Sequence, residues 1–127
     1  MTKLFIIGLG GFIGSVLRYL IGGLAQDLSR SISFPYGTLT VNVLGSFFIG
    51  LFAYLSDARG VFSDLSRAFV FVGIMGGFTT FSAFSNETFN LLRDGESSLA
   101  LLNIFGQVTI CIGSVWLGRA VAFWIWR

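Results

Sequence analysis

Polar chemistry in this chain is confined to a few side chains set inside long apolar runs. Arg18 stands deep in the first run, and Asn42 lies early in the second, within Gly37-Thr38-Leu39-Thr40-Val41-Asn42. An ionisable or amide side chain is expensive at membrane depth, so each marks a functional hypothesis. Arg18 has a stem long enough to carry its head to the interface. Equally, its guanidinium caps helix carbonyls or sets a positive potential in an aqueous vestibule, which favours an anion. Asn42 needs hydrogen-bond partners in apolar surroundings, either another helix or a passing anion that accepts from its NH2 group. Thr38 and Asn42 are four residues apart and share a helix face.

The third run is the most informative: Gly73-Ile74-Met75-Gly76-Gly77-Phe78-Thr79-Thr80-Phe81-Ser82-Ala83-Phe84-Ser85. Adjacent glycines, β-branched threonines and several hydroxyls lower helix propensity together and predict a break near mid-membrane. The alternative is a continuous helix whose glycines allow close packing. A break at that depth is tolerated only where protein or an aqueous cavity meets the freed backbone. Transporters use such breaks to hold cations on unwound carbonyls and anions at helix N-termini. Phe81 and Phe84 lie on nearly one face, with Ser82 and Ser85 beside them. Packing accounts for most of the 15 Phe, yet ring edges are positive and can line a narrow anion path without a full charge. Glu87 follows one turn on, at a vestibule or at the interface end of the helix.

The elements that must position these residues are transmembrane helices. Of 127 residues 54% are hydrophobic and 11% charged, against about 25% charged in a soluble domain. Four segments are long enough to span a bilayer: about 4–24, 36–55, 67–92 and 98–126. Together they form one transmembrane domain, 1–127, all-α. The first run, carrying Arg18 and followed by others of its kind, is read as a span rather than a cleaved signal. Histidine is absent and Cys111 is the only cysteine, so no zinc site, internal disulfide or Cys/His nucleophile can be assembled. That speaks against an enzyme. The net charge of +2 is too small and scattered for nucleic acid.

Small residues recur at helical spacing: Gly10, Gly14 and Gly22 in line with Arg18, then Gly11, Ser15 and Gly23, then Gly73 and Gly77. Such stripes let helix backbones approach closely in lipid. They outnumber the faces one protomer needs, so an oligomer is expected, most simply a homodimer. Lys3, Arg59, Arg67, Arg119 and Arg127 fall on one side of the membrane, and Arg18, Arg30 and Arg93 on the other. The positive-inside rule reads such differences, and this bias is weak enough to permit insertion in both orientations.

At Gly76-Gly77-Phe78-Thr79-Thr80-Phe81-Ser82-Ala83-Phe84-Ser85-Asn86-Glu87 the sequence resembles the G-G-x-T-T-F-S-T-F-S-x-E signature of the Fluc (CrcB-type) fluoride channels. Gly11-x-x-Gly14-x-x-x-Arg18 is similar to that family's first-helix motif, and Pro35-Tyr36-Gly37-Thr38-Leu39-Thr40-Val41-Asn42 to its P-x-G-T-L-x-x-N motif. The resemblance covers nearly the whole chain. It implies an antiparallel, dual-topology homodimer in a bacterial cytoplasmic (inner) membrane, with two pores that passively export fluoride entering the cell as HF. It implies a sodium ion at the dimer centre, held by backbone carbonyls of Gly76 and Thr79 from both subunits. Asn42 becomes the pore amide, and Phe81 and Phe84 the rings whose edges face fluoride. Arg18 belongs to the vestibule and Glu87 to the pore mouth, with Thr38, Ser82 and Ser85 as polar lining. The family usually carries Ser or Thr hydroxyls on a polar track in the fourth helix. Here Cys111 stands where a hydroxyl is expected, with Gln107 and Asn103 one and two turns before it on the same face.

Two other classes share the hydrophobicity. A small-multidrug-type proton-coupled antiporter resembles this chain in size, spans and topology, but it needs an acid in the first helix. None stands between Met1 and Gln26. A non-transporting membrane subunit explains the glycine stripes but not a broken third helix with polar and aromatic lining.

Overall fold

The computed structural model describes residues 1–127 and consists of helices and short connections. Helix α1 (Thr2–Ser29) has 28 residues, about 42 Å at 1.5 Å per residue, against roughly 30 Å of bilayer hydrocarbon. It overruns Leu24 by a polar turn and stops at Arg30, whose backbone is left-handed at φ 53°. Helix α2 (Tyr36–Arg59) starts after Pro35, which lacks the amide hydrogen that a helix start leaves unpaired. It ends at Gly60, where φ is 60°, a conformation glycine adopts without steric cost.

The third span covers Asp64–Arg93 in pieces. Helix α3 (Asp64–Arg67) is capped by the Ser63 side chain, which accepts from the Ser66 N–H. Ala68–Met75 follow as a wide π-helical stretch, then α4 (Gly76–Phe78). The helix breaks at Thr79 (φ −89°, ψ 160°) and Thr80 (φ −151°, ψ 110°), both extended. Helix α5 (Phe81–Arg93) restarts with the Thr80 hydroxyl accepting from the Ala83 N–H. The expected break is therefore present, two residues past the glycine pair. Helix α6 (Ser97–Ile125) completes four spans of sufficient length and apolarity to cross a membrane.

Helix α1 lies against the π-helical stretch, α4 and α2, while α6 runs along α2 and packs on α5. Glycines set these distances. A Cβ on Gly10 would stand 2.6 Å from the Phe69 carbonyl oxygen, and one on Gly77 2.6 Å from that of Gly11. Part of each stripe is thus spent inside the protomer. Only 20 of 127 residues are buried, too few for a domain surrounded by water. Phe5, Leu20, Phe81 and Trp116 stand outward, where lipid or a second subunit meets them. The chain is a multi-pass membrane protein.

Candidate functional site

The break leaves Thr80 with an amide and a carbonyl that belong to neither half-helix. Asn42, on α2, takes both. The Thr80 N–H donates to Asn42 Oδ1 at 2.8 Å, and Asn42 Nδ2 donates to the Thr80 carbonyl at 3.2 Å. Asn42 Nδ2 also donates to Gln107 Oε1 on α6 at 2.9 Å. The pairing with backbone fixes the sense of the Asn42 amide, because a flipped amide would set donor against donor. Asn42 in turn holds Gln107 Oε1, so Gln107 Nε2 points away from it. That Nε2 is buried and has no partner. An unmet buried donor costs about 1–3 kcal/mol, a cost that an acceptor reaching it would relieve.

Gln107 borders a cavity of about 470 Å³. Asn42, Phe81, Phe84 and Cys111 border it as well, with Gly76 and Thr79. The structure thus gathers most of the residues singled out from the sequence around one space. The two rings lie with centroids 5.4 Å apart, tilted at 56°. Phe84 is buried, whereas Phe81 is 78% exposed and stands on the face that lipid or a second subunit covers. Ile49, Phe71, Met75 and Ile112 supply the apolar wall. Ser46 also lines the cavity; its place four residues after Asn42 was the signal in the sequence.

A second cavity, of about 710 Å³, is bordered by Arg18, Thr38, Ser82 and Glu87. The Thr38 hydroxyl donates to Glu87 Oε1 at 2.6 Å, while Glu87 Oε2 is buried without a partner. Arg18 Nη1 donates to the Thr79 carbonyl at 3.4 Å. Thr80 borders both cavities, so its pairing with Asn42 stands in the wall between them. Thr38 and Ser82 therefore sit on the Arg18 side rather than beside Phe81. Ser85 borders neither cavity, and its hydroxyl donates to the Phe81 carbonyl at 2.9 Å.

Two further amides have structural work. Gln26 Nε2 donates to the carbonyls of Ser31 (2.7 Å) and Phe34 (3.2 Å), and its Oε1 accepts from the Gly37 N–H at 2.9 Å. It ties the first loop to the start of α2, one residue before Thr38. Nothing in its spacing distinguished it from a solvated helix end. Asn103 is fully buried and its Nδ2 donates to Thr88 Oγ1 at 2.9 Å. It shares a helical face with Gln107 but packs into α5.

The break also frees carbonyls. The helical partner of the Gly76 carbonyl would be the Thr80 amide, which is committed to Asn42; Gly76 itself is exposed. No three His, Cys, Asp or Glu side chains gather to hold a metal ion.

The model of a family described as CrcB-like protein, Camphor Resistance (CrcB), matches residues 5–119. The chain is 45% identical over 122 residues to fluoride-specific ion channel FluC 3 of Methanosarcina barkeri, covering 96% of this chain and 91% of that one. It is 47% identical over 125 residues to fluoride-specific ion channel FluC of Opitutus terrae (96% and 93% covered). It is also 47% identical over 123 residues to the protein of that name from Shewanella denitrificans (97% and 98%).

Proposed function

The chain belongs to the CrcB-like family, and we infer from that membership and its cavities that it is a fluoride channel carrying the ion passively past Gln107, Phe81 and Phe84. It is not an enzyme. The single observation that carries the path is that Gln107, whose Nε2 is buried and unpartnered, borders the same cavity as those two rings.

Fluoride is small and strongly hydrated, so a pore must replace its water with donors and still release it. The larger cavity, with Arg18, is the vestibule, where a positive potential concentrates the anion. Thr38 and Ser82 hydroxyls there exchange for hydration waters, and Glu87, at the mouth, keeps the positive field from trapping the ion. Beyond the Asn42–Thr80 wall, Gln107 Nε2 donates to the ion and the positive edges of Phe81 and Phe84 support it. Asn42 serves as the pore amide chiefly by orienting Gln107, and Cys111 lines the path one turn further. None of these contacts is a buried full charge, which would hold fluoride too tightly.

We also propose an antiparallel, dual-topology homodimer with two pores. The exposed ring of Phe81 and the exposed Gly76 support a partner at this face, and the near balance of basic residues between the two ends supports insertion both ways. A structural sodium ion fits the donors present, which are neutral carbonyl oxygens suited to a hard monovalent cation rather than a transition metal. Gly76 would hold it from each subunit, with Thr79 sharing its carbonyl between the ion and Arg18. When bound, the ion supplies positive potential and a link between subunits. Passive export serves a cell only at the membrane bounding its cytoplasm, so we place the chain in a bacterial cytoplasmic (inner) membrane.

The test is fluoride efflux from liposomes holding purified protein, read with a fluoride electrode beside chloride-loaded controls. Fast fluoride release with chloride retained, without a proton gradient, is the expected result. Release that needs a proton gradient points to a coupled antiporter, and no release from folded protein points to a non-transporting subunit.

A further inference from the structure

We propose that the Ser46 hydroxyl is a fluoride ligand one helical turn beyond Asn42, replacing the hydroxyl that Cys111 does not provide. The inference rests on the fluoride-channel reading and adds to it a specific donor on the second span.

The register of two helices places the two residues level. Helices α2 and α6 run in the same direction through the bundle. Asn42 is hydrogen-bonded to Gln107, 65 positions later, and Gly50 meets the backbone of Val115 at the same offset. Ser46 lies midway between Asn42 and Gly50 on α2, and Cys111 midway between Gln107 and Val115 on α6. Both border the cavity that holds Phe81, Phe84 and Gln107.

Ser46 also differs from the hydroxyls of the broken third span. A Ser or Thr within a helix commonly folds back onto the carbonyl four residues earlier. Thr79 does so to Met75 at 3.0 Å, Ser85 to Phe81 at 2.9 Å and Thr88 to Phe84 at 2.8 Å. Ser46 makes no such bond and no other within the chain, although it is half-buried. Its donor is free at the cavity. Facing it, Cys111 offers only a thiol, a weak donor, between Ile110 and Ile112. Hydrogen bonds from a hydroxyl to an anion are short and strong, so at this level of the pore Ser46 carries the contact that dehydrates fluoride.

The test compares initial fluoride efflux from liposomes holding the full-length wild type, Ser46→Ala, and Ser46→Ala with Cys111→Ser. Ser46→Ala is expected to slow efflux about tenfold, as loss of one hydrogen bond to a charged group does. Cys111→Ser is expected to restore most of that loss by moving the hydroxyl across the pore, a rescue that a packing role for Ser46 would not give. Ser46→Cys, which keeps the volume and weakens the donor, is expected to slow efflux as well, and it stands in should Ser46→Ala aggregate. Wild-type efflux from folded Ser46→Ala or Ser46→Cys overturns the assignment, as does a loss that Cys111→Ser leaves in place. A wild type that releases no fluoride overturns the channel reading and this assignment with it.

Discussion

Asn42 and Thr80 exchange two hydrogen bonds, at 2.8 and 3.2 Å, as a hydrogen-bonded pair of residues on neighbouring antiparallel strands would. The side chain of one helix thereby acts as backbone for the break in another. This accounts for how an extended Thr79–Thr80 persists at membrane depth, where water is not available to satisfy it. The same amide reaches Gln107 at 2.9 Å, so the geometry of the break and the orientation of the Gln107 side chain are set by one residue.

Asn42→Asp is expected to lower fluoride efflux at least about tenfold and to destabilise the fold by about 2 kcal/mol. The substitution removes the donor to both Thr80 and Gln107, sets carboxylate oxygen against carbonyl oxygen, and puts negative charge on an anion path. Electrode-recorded efflux and thermal unfolding in detergent check the two effects. Unchanged efflux would remove Asn42 from the pore.

Phe81 and Phe84 separate conduction from stability. Phe81 is mostly exposed within the protomer and Phe84 is buried. Phe81→Ile is expected to slow fluoride roughly tenfold through loss of the ring edge, with the protomer fold kept. Phe84→Ile should slow fluoride and also cost about 1–2 kcal/mol, since it changes shape in a packed site. Wild-type efflux from folded Phe81→Ile would assign that ring to packing alone.

The four spans were legible in the sequence because length and apolarity suffice to define them, and the break was legible from Gly76-Gly77 and Thr79-Thr80. Less was visible of what the break requires. The extended residues fall at the threonines rather than the glycines, because Gly77 is used where α1 approaches and Thr80 supplies the cap. Arg18, Asn42, Gln107, Cys111 and both rings stood out as polar or aromatic residues at shared helical spacing. That spacing does not tell which hydrogen-bond donors remain free. Both protons of Asn42 are taken and one amide of Gln107 is left over, a matter of tertiary pairing across 38 and 65 positions. The sequence likewise groups Thr38 and Ser82 with Phe81 and Phe84, whereas they border the cavity of Arg18, across the Asn42–Thr80 wall.

The glycine stripes predict which small-to-larger changes are costly. Gly77→Ala would push a methyl to 2.6 Å from the Gly11 carbonyl oxygen and 3.1 Å from the Ser15 nitrogen. Both are backbone atoms that cannot rotate away. A loss of about 1–3 kcal/mol is expected from this overpacking. Gly106→Ala meets nothing within 4 Å inside the protomer, so its thermal unfolding should match that of wild type unless a second subunit lies there. Equal behaviour of Gly77→Ala and wild type would show that α1 is not held at this distance.

Gln26 is expected to matter for the vestibule without touching the ion. Gln26→Leu deletes bonds to Ser31, Phe34 and Gly37. It should destabilise the start of α2 by about 1–2 kcal/mol. Amide hydrogen exchange resolved at Gly37 should accelerate while that at Thr80, held by Asn42, stays slow. Uniform acceleration at both would mean that the loop and the break open together.

The Gly76 carbonyl offers a way to test the central cation apart from conduction. Its helical amide partner is committed to Asn42, and a Cβ on Gly76 would have only the Phe71 carbonyl oxygen nearby, at 3.9 Å. Within one protomer, then, Gly76→Ala has room. If two subunits share a sodium ion through these carbonyls, protein prepared throughout with N-methylglucamine in place of sodium should lose both dimer and fluoride efflux. Gly76→Ala should then weaken the dimer in sodium without lowering protomer helicity, because the added methyl falls where the second subunit must approach. Size-exclusion chromatography with light scattering reads the first effect and circular dichroism the second. A dimer that persists, and conducts, when it has never met sodium would leave these carbonyls to each other or to water, and the link between subunits to the exposed rings and glycines.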